Sequence, residues 1–583
     1  MLLISSLEVF LTWAVIALAL IGLGTIVLTL FSEGYSLIDA FWMGLAISVT
    51  VLEIWNLVLP ITVSVTMFLF GAGLLGLALN RSALQNSLRS TLQAPRWLLF
   101  LGIAFALLLA LRSCGLCEYY DTGLYGASSV RWIQTYPSVP GLANLHGRLG
   151  FNSSVFLCIA ALGQGPWKDL GFHLFTGFLL SALWVTLLPA CARCVSQAAA
   201  SPVDWFHCIL AVPAFFWTTR SRIVGTQTDE SAAIVCLIAA GILFADLSQY
   251  SPQDRPNPQP SRLVLAATLF SLAVTFKVST AVFAFFAWCL VFRRIWQTTA
   301  SPRKRRLHLA AVLLSATVLL VPWFARSIIL SGYPLFPATV FAFPVPWKMP
   351  LSAARWYALG VHSWGRIPDA PFRDTQGLHW LGDWLHRALR NRPSFQVPLA
   401  ISLAGLAIAL FLHFRQGKPR PACPQLSLLF PGLAGIIFWF AASPDLRFAQ
   451  FAIWTTAATL GAWGIVSLDF QRSPSHTRPA HTGIVLAALL LSTIWCVISF
   501  GWKEPIQALR GVQQPPPLPK PALILRHTLS GLPVYVPAQG NQCWDAPLPC
   551  TPYFDESLRL RDDSSRRSGF TSEGRAAELQ IFW

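Results

Sequence analysis

"VFLTWAVIALALIGLGTIVLTLF" (Val9–Phe31) runs for 23 residues without a charged side chain. A helix of that length spans the ~30 Å hydrocarbon core of a bilayer. No basic segment precedes it and no small-residue cleavage site follows, so it reads as a retained helix rather than a removed signal. The rest of the chain repeats this pattern. Hydrophobic residues make up 55% of the 583 and charged residues 11%, against roughly 25% charged in an ordinary soluble domain. A soluble chain this long would need several solvated cores, and the polar residues to cover them are missing. The sequence describes an all-α polytopic membrane protein.

Apolar runs long enough to cross, with shorter ones admitted inside a bundle, number about fourteen. They lie at 9–31, 38–59, 61–80, 96–113, 170–190, 204–217, 230–247, 263–275, 278–292, 308–328, 397–414, 426–442, 449–468 and 482–501. The net charge of +17 collects in short loops between them, as in "RRIWQTTASPRKRRLH" (Arg293–His308) and "RQGKPRP" (Arg415–Pro421). That placement is a positive-inside signal and a contact for anionic membrane lipid, and it excludes nucleic acid as a partner. Arg81, Arg89, Arg96, Arg193, the Arg293–Arg306 group, Arg415 to Arg420, Arg472 and Arg478 then all fall on one face, the cytoplasmic one. This agreement requires 151–169 to stay outside as a surface helix.

The opposite face receives five polar segments, a pattern expected of a site built from loops on a helical scaffold. The densest is "CEYYDTGLYGASSVRWIQTYPSVPGLANLHGRLGFNSS" (Cys117–Ser154). Its Asp121 and Glu118 follow directly from a membrane helix, where partial burial suits a carboxylate to general-base work; the plainer reading is an ion pair with Arg112 or Arg131. Ser128–Tyr136 has the spacing of an amphipathic helix lying in the interface plane. Arg148 is suited to phosphate, because a guanidinium fork matches phosphate oxygens. His146 would orient that phosphate or a sugar hydroxyl, and Asn152-Ser-Ser matches a glycan-acceptor pattern. In the second loop Asp229 and Glu230 open a helix, where the dipole favours them. Lys277 interrupts an apolar run, and such a lysine snorkels, pairs or faces a polar cavity. Arg326 and Tyr333 lie at the end of another run, and "SPDLRF" (Ser443–Phe448) sets Asp445 and Arg447 in a short outer loop.

After the proline-rich linker "QQPPPLPKP" (Gln513–Pro521) the tail reads as a small mixed α/β extracytoplasmic domain with a strand at "LPVYVP". Cys543 and Cys550 are placed to staple it, and Cys114 and Cys117 form a second close pair, with disulfides favoured over metal.

The arrangement resembles the GT-C superfamily of integral-membrane glycosyltransferases. The strings "YDTGLY", "VPGLANLHGRLGFNSS", "SGYPLFP", "PDLRF" and "CWDAPLPCTPY" look closer still to a bacterial family of uncharacterised polytopic membrane proteins. GT-C enzymes place the catalytic outer loop after their first helix; here three added helices stand in front of the helix that leads into it. The implied organisation is three additional helices over 1–95, a GT-C-like core over 96–501 with outer loops 114–169, 218–230 and 330–396, and an extracytoplasmic domain over 502–583. The resemblance implies a glycosyltransferase of the bacterial inner membrane, active on the extracytoplasmic face, with a polyprenyl-phosphate-linked sugar donor. Asp121 would be the base toward a glycan, lipid or protein acceptor, and Arg148, Lys277, Arg326 or Arg447 would steady the leaving phosphate. Glu118, Asp229 and Glu230 would assist at the acceptor or hold a divalent metal, which stays open because no strong metal-ligand spacing is present. A transporter, flippase or glycan polymerase is the alternative, for which Glu53 is the one good candidate near the bilayer midplane.

Overall fold

The computed structural model describes the chain apart from residues 31–34, 94, 197–199, 220–222, 249–259, 369–371, 417–422, 470–482, 484–485, 496–508 and 575–583. Arg420, Arg472 and Arg478 of the arginine-rich loops therefore lie outside the described residues, as do Arg220 and Arg222 in the loop before Asp229. In chain order the helices are α1 (Leu2–Leu28), α2 (Leu37–Val58), α3 (Val63–Leu79), α4 (Arg81–Leu92), α5 (Arg96–Ser113), α6 (Ala127–Thr135), α7 (Ser154–Leu162), α8 (Phe175–Val195) and α9 (Pro202–Thr219). There follow α10 (Thr228–Ser248), α11 (Pro260–Phe276), α12 (Ala281–Thr298), α13 (Pro302–Ser331), α14 (Leu351–Arg366), α15 (Leu381–Asn391), α16 (Pro393–Gln416), α17 (Leu429–Ala442) and α18 (Gln450–Asp469). A last apolar helix, α19, covers Leu486–Trp495.

Among the described residues ten helices are long and apolar enough to cross a membrane, and α3, α11 and α19 are shorter apolar helices. The chain is a multi-pass membrane protein. As far as its residues are described, each apolar run of the sequence falls on a helix, the weak run at 204–217 on α9, which is less apolar than the ten. The run at 263–292 is broken where expected: α11 ends at Phe276, Lys277 is extended, and a short turn leads into α12.

Close helix contact at the N-terminal end rests on missing side chains. A Cβ on Gly24 would overlap the Ala40 carbonyl oxygen, one on Gly44 that of Leu20, and one on Gly76 that of Gly22. Small residues let backbones approach where lipid supplies no hydrophobic drive between helices. α2 starts at a reciprocal cap, in which Ser36 accepts from the Asp39 amide and Asp39 from the Ser36 amide. Farther along, α10 is buried along nearly its whole length, with α8, α9, α11 and α18 packed around it.

Two expectations fail here for one reason. α6 was expected in the interface plane, yet Trp132 and Ile133 are 2% and 4% exposed. The 151–169 segment was expected as a surface helix that does not cross; α7, at nine residues, is indeed too short to cross, but it is buried from Ser154 to Ala161 rather than lying on the surface. Both are covered by other protein: α7 by α2, α3 and α11, and α6 by the C-terminal domain at Trp132 and by the helix bundle, α7 included, at Ile133. That domain consists of two small antiparallel sheets, β1 (Leu523–His527) with β2 (Pro533–Pro537) and β3 (Arg559–Leu560) with β4 (Phe570–Thr571). Among its described residues there is no α-helix, so it is β and turn rather than mixed α/β. Leu532, Val534, Phe554, Leu558 and Phe570 pack on Trp132, Val139, Leu142, Leu145 and Leu149. The Cys543–Cys550 disulfide is present. Cys114 and Cys117 are free thiols, correcting the second pairing; burial raises the Cys117 thiol to about 12.

Gly44→Leu is expected to destabilise the bundle by about 1–3 kcal/mol, the usual range for overpacking. Gly71→Leu, whose side chain would meet open space, is expected to be neutral. Thermal unfolding in detergent compares them, and equal midpoints would contradict the packing assigned to α1 and α2.

Candidate functional site

Asp121 follows α5 and opens a π-turn, Thr122–Gly126, that leads into α6. Such turns are uncommon and tend to mark functional positions. This one is locked from the second loop: the Thr226 amide donates 2.9 Å to the Thr122 hydroxyl, and Gly126 leaves room for the Thr226 side chain. From the other side the C-terminal domain closes on it. The Trp544 amide donates to the Gly123 carbonyl at 3.0 Å, and the Trp544 indole occupies the space where a Cβ of Gly123 would stand.

The turn aims the Asp121 carboxylate between two guanidinium groups. Arg148 lies 3.8 Å from one oxygen and Arg447 lies 3.5 Å from the other. Arg447 also pairs with Asp445 at 3.3 Å. Beside them Lys277 pairs with Asp229 in the first turn of α10, and its ammonium sits 4.2 Å over the Phe448 ring. Arg447 sits over the same ring at 5.0 Å. Segments from four parts of the chain thus share one cluster of three cations and three aspartates, with Glu230 near enough to act on Asp229. The plainer partners proposed for Asp121 are engaged elsewhere: Arg112 donates to the Thr218 carbonyl and Arg131 pairs with Asp545. Glu118 is exposed. Tyr119 is buried and Tyr125 half-buried beside Asp121, and desolvation, reinforced by that negative charge, holds both phenols well above their usual range.

His146 lies behind Arg148 with its ring 5.2 Å from that of Tyr553. It is 3% exposed and its Nε2 has no hydrogen-bond partner. Burial, with help from Arg148, pushes it down to about 3, so it stands as neutral imidazole.

Three residues of the sequence reading lie elsewhere. Arg326 is in a second, sealed polar centre, where its Nε donates to Asn56 at 3.2 Å and its Nη1 to Asn152. Asn152 also donates to the Trp323 carbonyl at 2.6 Å, so it is neither a glycan acceptor nor a ligand of the Asp121 site. Tyr333 is wholly buried and donates to the Met349 carbonyl. These positions sit deeper in the protein than their place beside a loop suggested. Ser154 completes the second centre by donating to Glu53 on α2.

Sequence reasoning missed the residues that hold the Arg447 turn. Trp384 and Trp439 each donate an indole N–H, at 2.7 Å, to the carbonyls of Pro444 and Asp445. His362 engages the Ala442 carbonyl, and the Ser443 hydroxyl donates to Val361. The available signal was the four-residue spacing of Trp380, Trp384 and Ala388 in a segment too short to cross a membrane. Among the described residues no three His, Cys, Asp or Glu side chains are placed to hold a metal ion.

A neutral buried His146 makes stability depend on pH. The unfolded side chain takes a proton below its ordinary 6.5 while the folded one does not until about 3. Stability is therefore present above 6.5 and is lost as pH falls toward 3, with a slope of up to about 1.4 kcal/mol per pH unit. His146→Gln should flatten thermal-unfolding midpoints between about pH 7 and about pH 5; an unchanged slope would rule out His146 as the cause.

No curated protein and no solved structure matches the chain at a significant level. A family model described as a domain of unknown function, DUF8201, matches residues 7–454, from α1 into α18. The matched span holds Asp121, Arg148, Asp229, Lys277, Asp445 and Arg447, and stops before the C-terminal domain that covers α6. With well over half of its length matched, the chain belongs to the DUF8201 family.

Proposed function

We propose that the protein is a membrane glycosyltransferase that moves a sugar from a polyprenyl-phosphate-linked donor to a cell-envelope acceptor. The reading places it in the bacterial inner membrane with the Asp121 cluster on the extracytoplasmic face, opposite the arginine-rich loops. The acceptor is a glycan, a lipid or a protein. The observation that carries this is the bracketing of Asp121 between Arg148 and Arg447, with Lys277 adjacent. At rest the guanidinium groups neutralise Asp121. Asp121 is released to face the acceptor when a lipid phosphate arriving among them takes over the two arginines. It then removes the proton from the acceptor hydroxyl. The hydroxyl oxygen bonds to the anomeric carbon with inversion, the bond from that carbon to the phosphate oxygen breaks, and the lipid phosphate leaves with both electrons. Arg148, Arg447 and Lys277 steady its charge.

A second reading, a transporter or flippase for lipid-linked sugars, is favoured by Glu53. It is wholly buried in α2, and its Oε2 has no hydrogen-bond partner. An ionisable residue inside a membrane-spanning helix marks a functional site, and a substrate or proton path is one use of such a residue.

With a panel of polyprenyl-phosphate sugars, Asp121→Asn is expected to lower transfer by about a hundredfold to ten-thousandfold, the range for loss of a general base, at unchanged protein level. Transfer at the parent rate would sink the assignment. Movement of the labelled lipid across liposomes without product, abolished by Glu53→Gln, would establish the second reading instead.

A further inference from the structure

The segment between α13 and α16 has a face that none of the described residues covers. α15 is 11 residues long, about 16 Å at 1.5 Å per residue, and cannot cross a bilayer. It runs almost directly into α16, a helix long and apolar enough to cross, so it sits at the membrane edge. Trp384 and Ala388, four residues apart, form its buried stripe together with Trp380 just before the helix. Beside that stripe Leu385 and Leu389 are each 44% exposed, and Leu378, in the preceding turn, is 73% exposed. The remaining sector carries Asp383, His386 and Arg390, and Arg392 follows, both arginines being exposed. Arg387 is turned inward to the Arg366 carbonyl. At 100° per residue the apolar sector covers about half of the helix, one part against protein and the other part bare.

We propose that α15 docks on the membrane surface through anionic lipid, with Leu385 and Leu389 among acyl chains and Arg390 and Arg392 on headgroup phosphates. A bare leucine flank next to exposed arginines fits lipid: the leucines need hydrocarbon, and the arginines outnumber the one carboxylate, Asp383, on the polar sector. Continuity with α16 puts hydrocarbon within reach of that flank. The buried stripe of the same helix carries Trp384, whose indole holds the turn that brings Arg447 to Asp121. The lipid-docked helix is therefore also a strut for the site, and its lipid contact stands whether the site transfers or transports.

Hydrogen exchange of the full-length protein in nanodiscs tests this. The peptide over 381–391 should exchange about tenfold more slowly in discs containing phosphatidylglycerol than in phosphatidylcholine discs, as a seated helix loses local opening. Inorganic phosphate added to phosphatidylcholine discs should not reproduce the effect, and Arg390→Glu should abolish it. Equal exchange in the two lipids overturns the proposal. Full protection in lipid-free micelles also overturns it, because the flank would then be covered by a second copy of the chain. Should Arg390→Glu fail to fold, Arg392→Glu, outside the helix, gives the same comparison.

Discussion

The pairing of Asp121 with Arg148 and Arg447 is the constraint on which this end of the helix bundle depends. A carboxylate at the edge of hydrocarbon loses much of its hydration, and only opposite charge with good geometry offsets that loss. Here the compensating charges come from residues 27 and 326 positions away along the chain. The loop after α5, the turn before α7 and the turn before α18 must therefore converge, or each leaves a desolvated charge behind. Lys277 and Asp229 extend the demand to α10 and to the break between α11 and α12. The surrounding aromatic groups serve the same pairings. Phe448 lies under both cations, and the two tryptophan indoles hold the Pro444 and Asp445 carbonyls.

This convergence was partly legible in the sequence. Runs of uncharged residues set the helices, because hydrocarbon tolerates no alternative, and the arginine loops set their alternation. Once alternation is known, Asp121, Arg148, Lys277 and Arg447 must share a membrane face, although which cation meets which carboxylate does not follow. What stayed hidden was the depth of Arg326, which lies five residues inside the end of α13, more than one turn below the surface. At that depth a guanidinium takes buried amides as partners, and it does so with Asn56 and Asn152. A residue count along a loop cannot distinguish this from the open position of Arg447.

The covering of α6 was hidden for a different reason. Its spacing is that of an interfacial helix, and an apolar stripe records only that something apolar lies against it. Here that is Phe570, whose ring meets Trp132 edge-on at 5.7 Å. The linker at Gln513–Pro521 marks where the tail begins but carries no sign of where it lands. Its landing is written instead in single polar contacts: the Tyr120 hydroxyl with Asn541 at 2.6 Å, and Asn144 with the Phe570 carbonyl at 3.1 Å. The helix that does show a bare apolar flank, α15, sits in a segment whose polarity had marked it as loop.

The two polar centres divide the work between them. The sealed one, with Glu53, Asn56, Ser154, Asn152 and Arg326, ties α2, α7 and α13 together and has at its side a water-sized cavity lined by Asn56, Ser138 and Arg326. Its bonds hold α7 in place, and α7 begins four residues after Gly150, where the turn carrying Arg148 ends. The open centre thus inherits its geometry from two supports. The sealed network fixes Arg148 from within the bundle, and the tryptophans of α15 and α17 fix Arg447 from the periphery. Asp121 lies where the two supports meet, and its distance to each arginine measures how well they agree.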